Sequence, residues 1–322
     1  MKGFLFIVPA LLVCSCSQKQ KTEVVSQNYY HKYGFEVAEK EWEERHKSGK
    51  VVSHLDNGVT ITENYTNGIV DGPTIRTYPH STLVQKKFVY DQGVLLKEIL
   101  YDRKGLPIWE KDFEFEGQVV KTTWNQQGIP QSIEEFKEDK LLEAKYYDSK
   151  HEKESTITNG FGTKIKRNRK GTLLYKETIE DGIVTKRVTY HPNGKVQSES
   201  TYKDLELHGP QTTFSPEGDV LSEATWVEGV LHGDKVLYRN GLKAQETPYV
   251  FGKKHGVETF YKNGELTAEI RWRDGIKHGS SRYYTANNSS IEWYFRDKKV
   301  TRNQFESLEQ KDKIIADFKH MF

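Results

Sequence analysis

The chain has 322 residues, with 48 Lys and Arg against 46 Asp and Glu, a formal net charge of +2. That balance excludes the strongly basic footprint of a dedicated nucleic-acid binder, and no nucleic-acid partner is expected. Hydrophobic residues make up 35% and charged residues 29%, which is thin for a large buried core, while 18 Tyr, 15 Phe and 6 Trp suit exposed β-sheet better than a helical bundle.

The first 16 residues read as a secretory signal. Lys2 is a short basic region, and the apolar run Gly3 to Val13 is too short to span a bilayer. The run closes in Val13-Cys14-Ser15-Cys16, which resembles a bacterial lipobox. Cys16, with small Ser15 before it, is the residue expected to carry the lipid; bulky Val13 makes Cys14 the poorer fit. Several acyl chains anchor a protein durably where one holds it only marginally. Both cysteines lie in this segment, so no thiolate metal site or Cys nucleophile is expected downstream.

Residues 17–34 are polar and read as a tether. Residues 35–50 read as an N-terminal cap helix, with Phe35, Ala38 and Trp42 at helical spacing and Gly49 placed to end it.

From 51 to 300 the chain repeats. His208-Gly209, His232-Gly233, His255-Gly256 and His278-Gly279 recur at intervals of 24, 23 and 23 residues. Between them fall Asn193-Gly194, Glu217-Gly218, Asn240-Gly241 and Asn263-Gly264, with a third column at Gly229, Gly252 and Gly275. Asn-Gly between alternating runs is the strongest short-range hairpin signal. The glycines Gly194, Gly209, Gly218, Gly233, Gly241, Gly256, Gly264 and Gly279 are accordingly expected at structural turns. Over Glu265 to Arg273, Leu266, Ala268, Ile270 and Trp272 alternate with Thr267, Glu269, Arg271 and Arg273. Each unit thus predicts one hairpin, about ten of them forming an antiparallel meander. The period is worn before residue 182. Asn67-Gly68-Ile69-Val70-Asp71-Gly72 looks like a first unit with Asp71 in place of His, and Lys137 to Lys170 is where the array is expected to bend or break.

Residues 301–322 read as a C-terminal cap helix. Thr301 and Asn303 are candidate N-caps, with Gln304 and Glu306 three residues on, and Phe305, Leu308, Ile315 and Phe318 recur at helical spacing.

G-x-x-H-G followed by N-G at this period resembles the MORN repeat, specifically the bacterial MORN-repeat variant family, many of whose members are labelled YwqK-type toxin–antitoxin antitoxins. The resemblance is clear over 182–286 and weaker over 51–181. It implies an all-β fold, an elongated single-layer antiparallel meander of MORN-like hairpins capped by short helices. It also implies a binding or scaffolding role, since such repeats carry no catalytic residues. Asp71 for His and Leu205 for Gly depart from the pattern and imply looser local turns.

The remaining constellations read as structural. Histidines one repeat apart lie about 9–10 Å from one another, too far to share a zinc ion, so no metal is expected. Tyr202, Trp226, Tyr249 and Trp272, with Phe295 in the same phase, form an aromatic column that would be a binding face if exposed; Phe214, Tyr238, Tyr261 and Tyr284 form a second. Glu199, Glu223, Glu246 and Glu269 read as a solvated stripe, and the basic run Lys164, Lys166, Arg167, Arg169 and Lys170 as a charged turn, with phosphate-bearing lipid the alternative. No nucleotide-binding, metalloprotease or nucleophile-elbow motif is present, and neither a catalytic residue nor a cofactor is expected.

The sequence therefore predicts a non-enzymatic lipoprotein of the bacterial cell envelope, in the outer membrane, anchored through Cys16 and binding a protein partner along its repeats, most of all on the aromatic-rich face. An antitoxin-like regulator is the rival, poorly matched to an exported chain. A module taking carbohydrate or phospholipid on the aromatic columns is the third reading.

Overall fold

The computed structural model describes residues 22–114, 117–286 and 288–319. The signal and Cys16 lie outside the described residues. Two units are distinguished, Met1–Gly105 and Leu106–Phe322, each an antiparallel β-meander with local helical additions. Among the described residues no helix is long and apolar enough to cross a membrane.

In the first unit the polar stretch 17–34 is not simply a tether. Val24–His31 is a strand paired with Gly49–Leu55, with Tyr29 opposite Val51. Its polar residues belong to a strand with one solvated face, paired on its other side at Tyr29 and Tyr30 with Glu36–Val37, while Tyr29 packs on Trp42 at 5.9 Å between centroids. The helix is shorter than 35–50: only Glu39–Glu44 is helical, burying Trp42 against Val37 and Val51. Gly49 does not end it. His46 and Lys47 do, with φ of 58° and 49°, whereas Gly49 sits where a Cβ would collide with the Tyr30 carbonyl.

Hairpins follow one another in both units. The first unit continues through Thr60–Thr66, Gly72–Thr77, Val84–Asp91 and Val94–Tyr101. The Asn67-Gly68 turn has both φ positive, and Gly72 faces Tyr90 across the ladder.

The His-Gly pairs are not turns. The two-residue turns lie four residues earlier, at Asp204-Leu205, Glu228-Gly229, Phe251-Gly252 and Asp274-Gly275, where both residues have positive φ as a type I′ turn requires. The His-Gly glycines fall within or at the start of the next strand, at a bulge. Ser200 pairs with Gln211 and Tyr202 with Leu207, so His208, Gly209 and Pro210 together oppose Thr201. Trp226–Leu231 beside Ala224–Lys235, and Trp272–Lys277 beside Ile270–Ser281, repeat the three-against-one count. The bulge glycines Gly209, Gly233, Gly256 and Gly279 have φ of 92°, 102°, 108° and 108°. At Gly209 a Cβ would also lie 2.7 Å from Thr201 Oγ1. The motif's leading glycine joins neighbouring hairpins: Gly229 N–H donates to the Leu207 carbonyl, Gly252 to Leu231 and Gly275 to Lys254, at 2.8–2.9 Å.

Asn240-Gly241 and Asn263-Gly264 are two-residue turns with positive φ throughout. Gly194 and Gly218 close longer loops, in which Gly194 donates to the His191 carbonyl and Gly218 to Ser215. Leu205 keeps the turn geometry its glycine counterparts have, at φ 68°, with its side chain 74% exposed.

The worn stretch Lys137–Lys170 does not break. It contributes Leu141, Ala144, Tyr146, Ile157 and Ile165 to a buried cluster that Ile179 completes. Three hairpin ends meet there: Gly160 N–H donates to Leu142 O, Gly182 N–H to Gly160 O and Leu141 N–H to Gly182 O. In a flat sheet the ends at 138–139 and 181–182, four strands apart, would be separated by about 19 Å. The sheet therefore curls tightly about this cluster.

Candidate functional site

The binding residues expected from the sequence occupy one face of the second unit. Pairing sets Trp226 opposite Gly209, Tyr249 opposite Gly233 and Trp272 opposite Gly256. Each ring stands across from the glycine of a bulge, where no side chain competes for the space. Tyr294, not Phe295, continues the column, opposite Gly279. The hairpin Ile276–Thr285 to Asn288–Phe295 pairs without the bulge present in its predecessors, so the phase moves by one residue.

These rings are half-buried, and cations stand over three of them, Tyr202, Trp272 and Tyr294. Arg187 lies 5.4 Å from the Tyr202 ring centre, Lys254 4.6 Å from Trp272, and Lys277 5.9 Å from Trp272 and 5.2 Å from Tyr294. The indole N–H groups are engaged, Trp226 donating to Gln211 Oε1 at 3.2 Å and Trp272 to Glu258 Oε2 at 2.8 Å. Glu258 is the residue sequence reasoning missed. It is buried and accepts from Lys254 at 2.6 Å, Thr247 at 2.9 Å and Gln245 at 2.8 Å, and these bonds hold its carboxyl below the usual carboxylate range against the opposing effect of burial. The corresponding positions are Gln211, Lys235 and Ser281, so no column marks it.

The other expected columns are structural. Tyr238 and Tyr284 donate to Glu223 and Glu269, each at 2.6 Å, and these bonds raise both phenols above their ordinary pKa. Lys186 and Lys243 pair with Glu199 and Glu246. Three of the four carboxylates thus tie neighbouring strands, while Glu246 pairs with Lys243 within its own strand. The histidines are not gathered: His232 stands edge-on to Phe251 at 4.9 Å, His255 Nδ1 lies 3.3 Å from Asp274, and His278 Nε2 lies 2.6 Å from Glu309. The basic run turns partly inward. Arg167 grips Glu154 with two bonds from Nη2 and one from Nε, Lys164 meets buried Glu134 at 3.2 Å, and Arg169 reaches the Pro107 and Asn125 carbonyls.

The terminal helix Arg302–Lys319 is seated by Thr301, which accepts from Gln304 N–H while Gln304 Oε1 accepts from Thr301 N–H. It lies on the face opposite the aromatic column. Phe305 packs on Trp293 at 5.1 Å and His278 at 5.3 Å, and Glu309 receives Arg273 and His278. Ile315, expected on the apolar side of the helix, is 55% exposed, because only the first half of the helix rests on the sheet. Between helix and sheet opens a cleft of about 480 Å³, lined among others by His255, Arg271, Arg273, Trp293, Phe305 and Glu309.

Residues 185–204 match the MORN repeat variant family. That segment holds the Asn193-Gly194 loop and Tyr202, so the repeat read from spacing carries the family's pattern there. No curated protein matches the chain. Among solved structures, a TcdB2-TccC3-TEV crystal structure is 10% identical with a TM-score of 0.21, covering 76% of this chain and 19% of that one. A Photorhabdus luminescens Tc holotoxin pore is 11% identical with a TM-score of 0.20, covering 77% and 19%. BamB from Moraxella catarrhalis is 10% identical with a TM-score of 0.14, covering 77% and 82%. The chain spans about a fifth of the length of the first two, and likenesses this slight inform neither fold nor function.

Proposed function

We propose that the protein is a lipoprotein of the bacterial envelope, anchored through Cys16 in the outer membrane, whose MORN-type repeats are a scaffold for a protein partner. The observation that supports this reading most is the repeated face. A half-buried ring recurs over a bulge glycine at Trp226, Tyr249 and Trp272. A partner bound there touches several repeats at once, and modest contacts add. Lys254 and Lys277 over Trp272 weigh against a sugar platform, which needs open ring faces. They favour a protein surface with carboxylates to meet the cations.

Two measurements test the proposal. Metabolic acyl labelling should mark the wild type and not Cys16→Ala, which should leave the membrane fraction; label retained on the variant would refute the anchor. Cross-linking in intact envelopes followed by co-purification should recover one partner. Its yield should fall in steps as hairpins between 206 and 285 are removed in whole repeats with the terminal helix kept. Loss of all binding on removing any single hairpin, with the remainder folded, would refute a distributed surface.

A further inference from the structure

The cleft beneath the terminal helix departs from the repeat. The residue facing each bulge glycine from the preceding strand is Thr201, then Thr225, then Pro248, and then Arg271. The next position in this row is Trp293, paired with Ser280. A row that is small elsewhere thus turns to an exposed guanidinium and to an indole that carries the helix residue Phe305. The Arg271 stem runs over Gly279, where a Cβ would lie 3.0 Å from its Cδ, and its side chain makes no ion pair among the described residues. Arg273 is already paired with Glu309 at 2.7 Å.

We propose that this cleft binds a small aromatic monocarboxylate, its carboxylate on Arg271 and its ring against Trp293 and Phe305. The volume of about 480 Å³ falls within the range of about 300–1,000 Å³ usual for small-ligand sites. One uncommitted guanidinium matches one carboxylate through two parallel hydrogen bonds. A dianion would need a second free cation, and the Glu309 carboxylate, held ionised by its bonds from Arg273 and His278, would repel the extra charge. Trp293 and Phe305, packed on each other with ring centres 5.1 Å apart, supply the apolar wall through the ring surface they leave to the cleft. This site lies on the face opposite the proposed partner surface and stands independently of it.

The test uses the full chain and 2-naphthoate, followed by calorimetry and tryptophan quenching. Saturable binding is expected, at least tenfold tighter than that of 2-naphthamide, which has the ring without the charge, and tighter than that of 2-naphthyl phosphate. Arg271→Met keeps the stem over Gly279 and should lose at least tenfold, with Arg271→Lys recovering part of it and Trp293→Leu reducing the quench. Unchanged melting of Arg271→Met separates loss of the site from loss of fold. Equal binding of acid and amide, unchanged affinity in Arg271→Met, or no saturable binding at millimolar concentration would overturn the site. Tighter binding of the phosphate would overturn the monoanion assignment.

Discussion

Two Asn-Gly turns separate what a backbone conformation costs from what its surroundings add. Asn159-Gly160 and Asn240-Gly241 have nearly the same geometry, with asparagine φ of 51° and 52° and glycine φ of 80° and 74°. A Cβ on Gly241 would meet nothing within 4 Å, whereas one on Gly160 would lie 2.7 Å from the Gly182 nitrogen and 3.2 Å from the Asp181 carbonyl carbon. Gly241→Ala should therefore cost only the left-handed strain of an L-residue, about 1 kcal/mol. Gly160→Ala adds the displacement of two hydrogen bonds, Gly160 N–H to Leu142 and Gly182 N–H to Gly160. At about 1 kcal/mol each, with about 1 kcal/mol more for loosened packing around Ile157 and Ile179, the total is about 4 kcal/mol. Because a repeat array need not unfold in one step, the assay is hydrogen exchange by mass spectrometry on peptides covering 153–184 and 235–250. The difference of about 3 kcal/mol corresponds to exchange accelerated on the order of a hundredfold more at the first site than at the second. Equal acceleration at both turns would refute the ring of hydrogen bonds that curls the sheet.

Gly256→Val should destabilise its repeat by about 1–3 kcal/mol, from positive φ and a Cβ 3.1 Å from Pro248 Cγ, read as a lowered urea midpoint; an unchanged midpoint would remove the bulge constraint. Leu205→Gly should stabilise by about 0.5–1 kcal/mol, since it relieves strain at φ 68° while exposing no core, and a lowered melting temperature would count against the turn assignment. Glu258, whose folded pKa is depressed, contributes stability that is complete above the ordinary carboxylate range and is lost as pH falls through the folded value. Glu258→Gln should flatten the acid limb of stability below about pH 4.5, and an identical acid limb in the variant would refute its role. Phe305→Ala, removing a half-buried ring from Trp293 and His278, should cost about 2 kcal/mol and expose the helix amides to exchange; protection equal to wild type would mean that the salt bridges alone hold the helix.

Much of this architecture is local and therefore legible. A period-2 pattern between glycine pairs needs only neighbouring residues to specify a hairpin, so the strand faces, including Ile270 and Trp272 against Glu269 and Arg271, followed from alternation alone. The terminal helix and its candidate cap Thr301 were readable for the same reason, because capping involves residues three apart. What depended on pairing between strands was not readable. The spacing of G-x-x-H-G does not say which glycine turns the chain and which lies in a bulge; register decides it, and register set Gly209, Gly233, Gly256 and Gly279 opposite single residues of the preceding strand. The strand Val24–His31 was hidden because a strand with one solvated face and few aliphatics has the composition of a tether. The curl at Gly160 and Gly182, the ion cluster at Glu258 and the cleft at Arg271 each join residues of different elements. In each, a polar or small residue is acceptable only because particular partners arrive from other strands, and a single chain of letters carries no record of those distances.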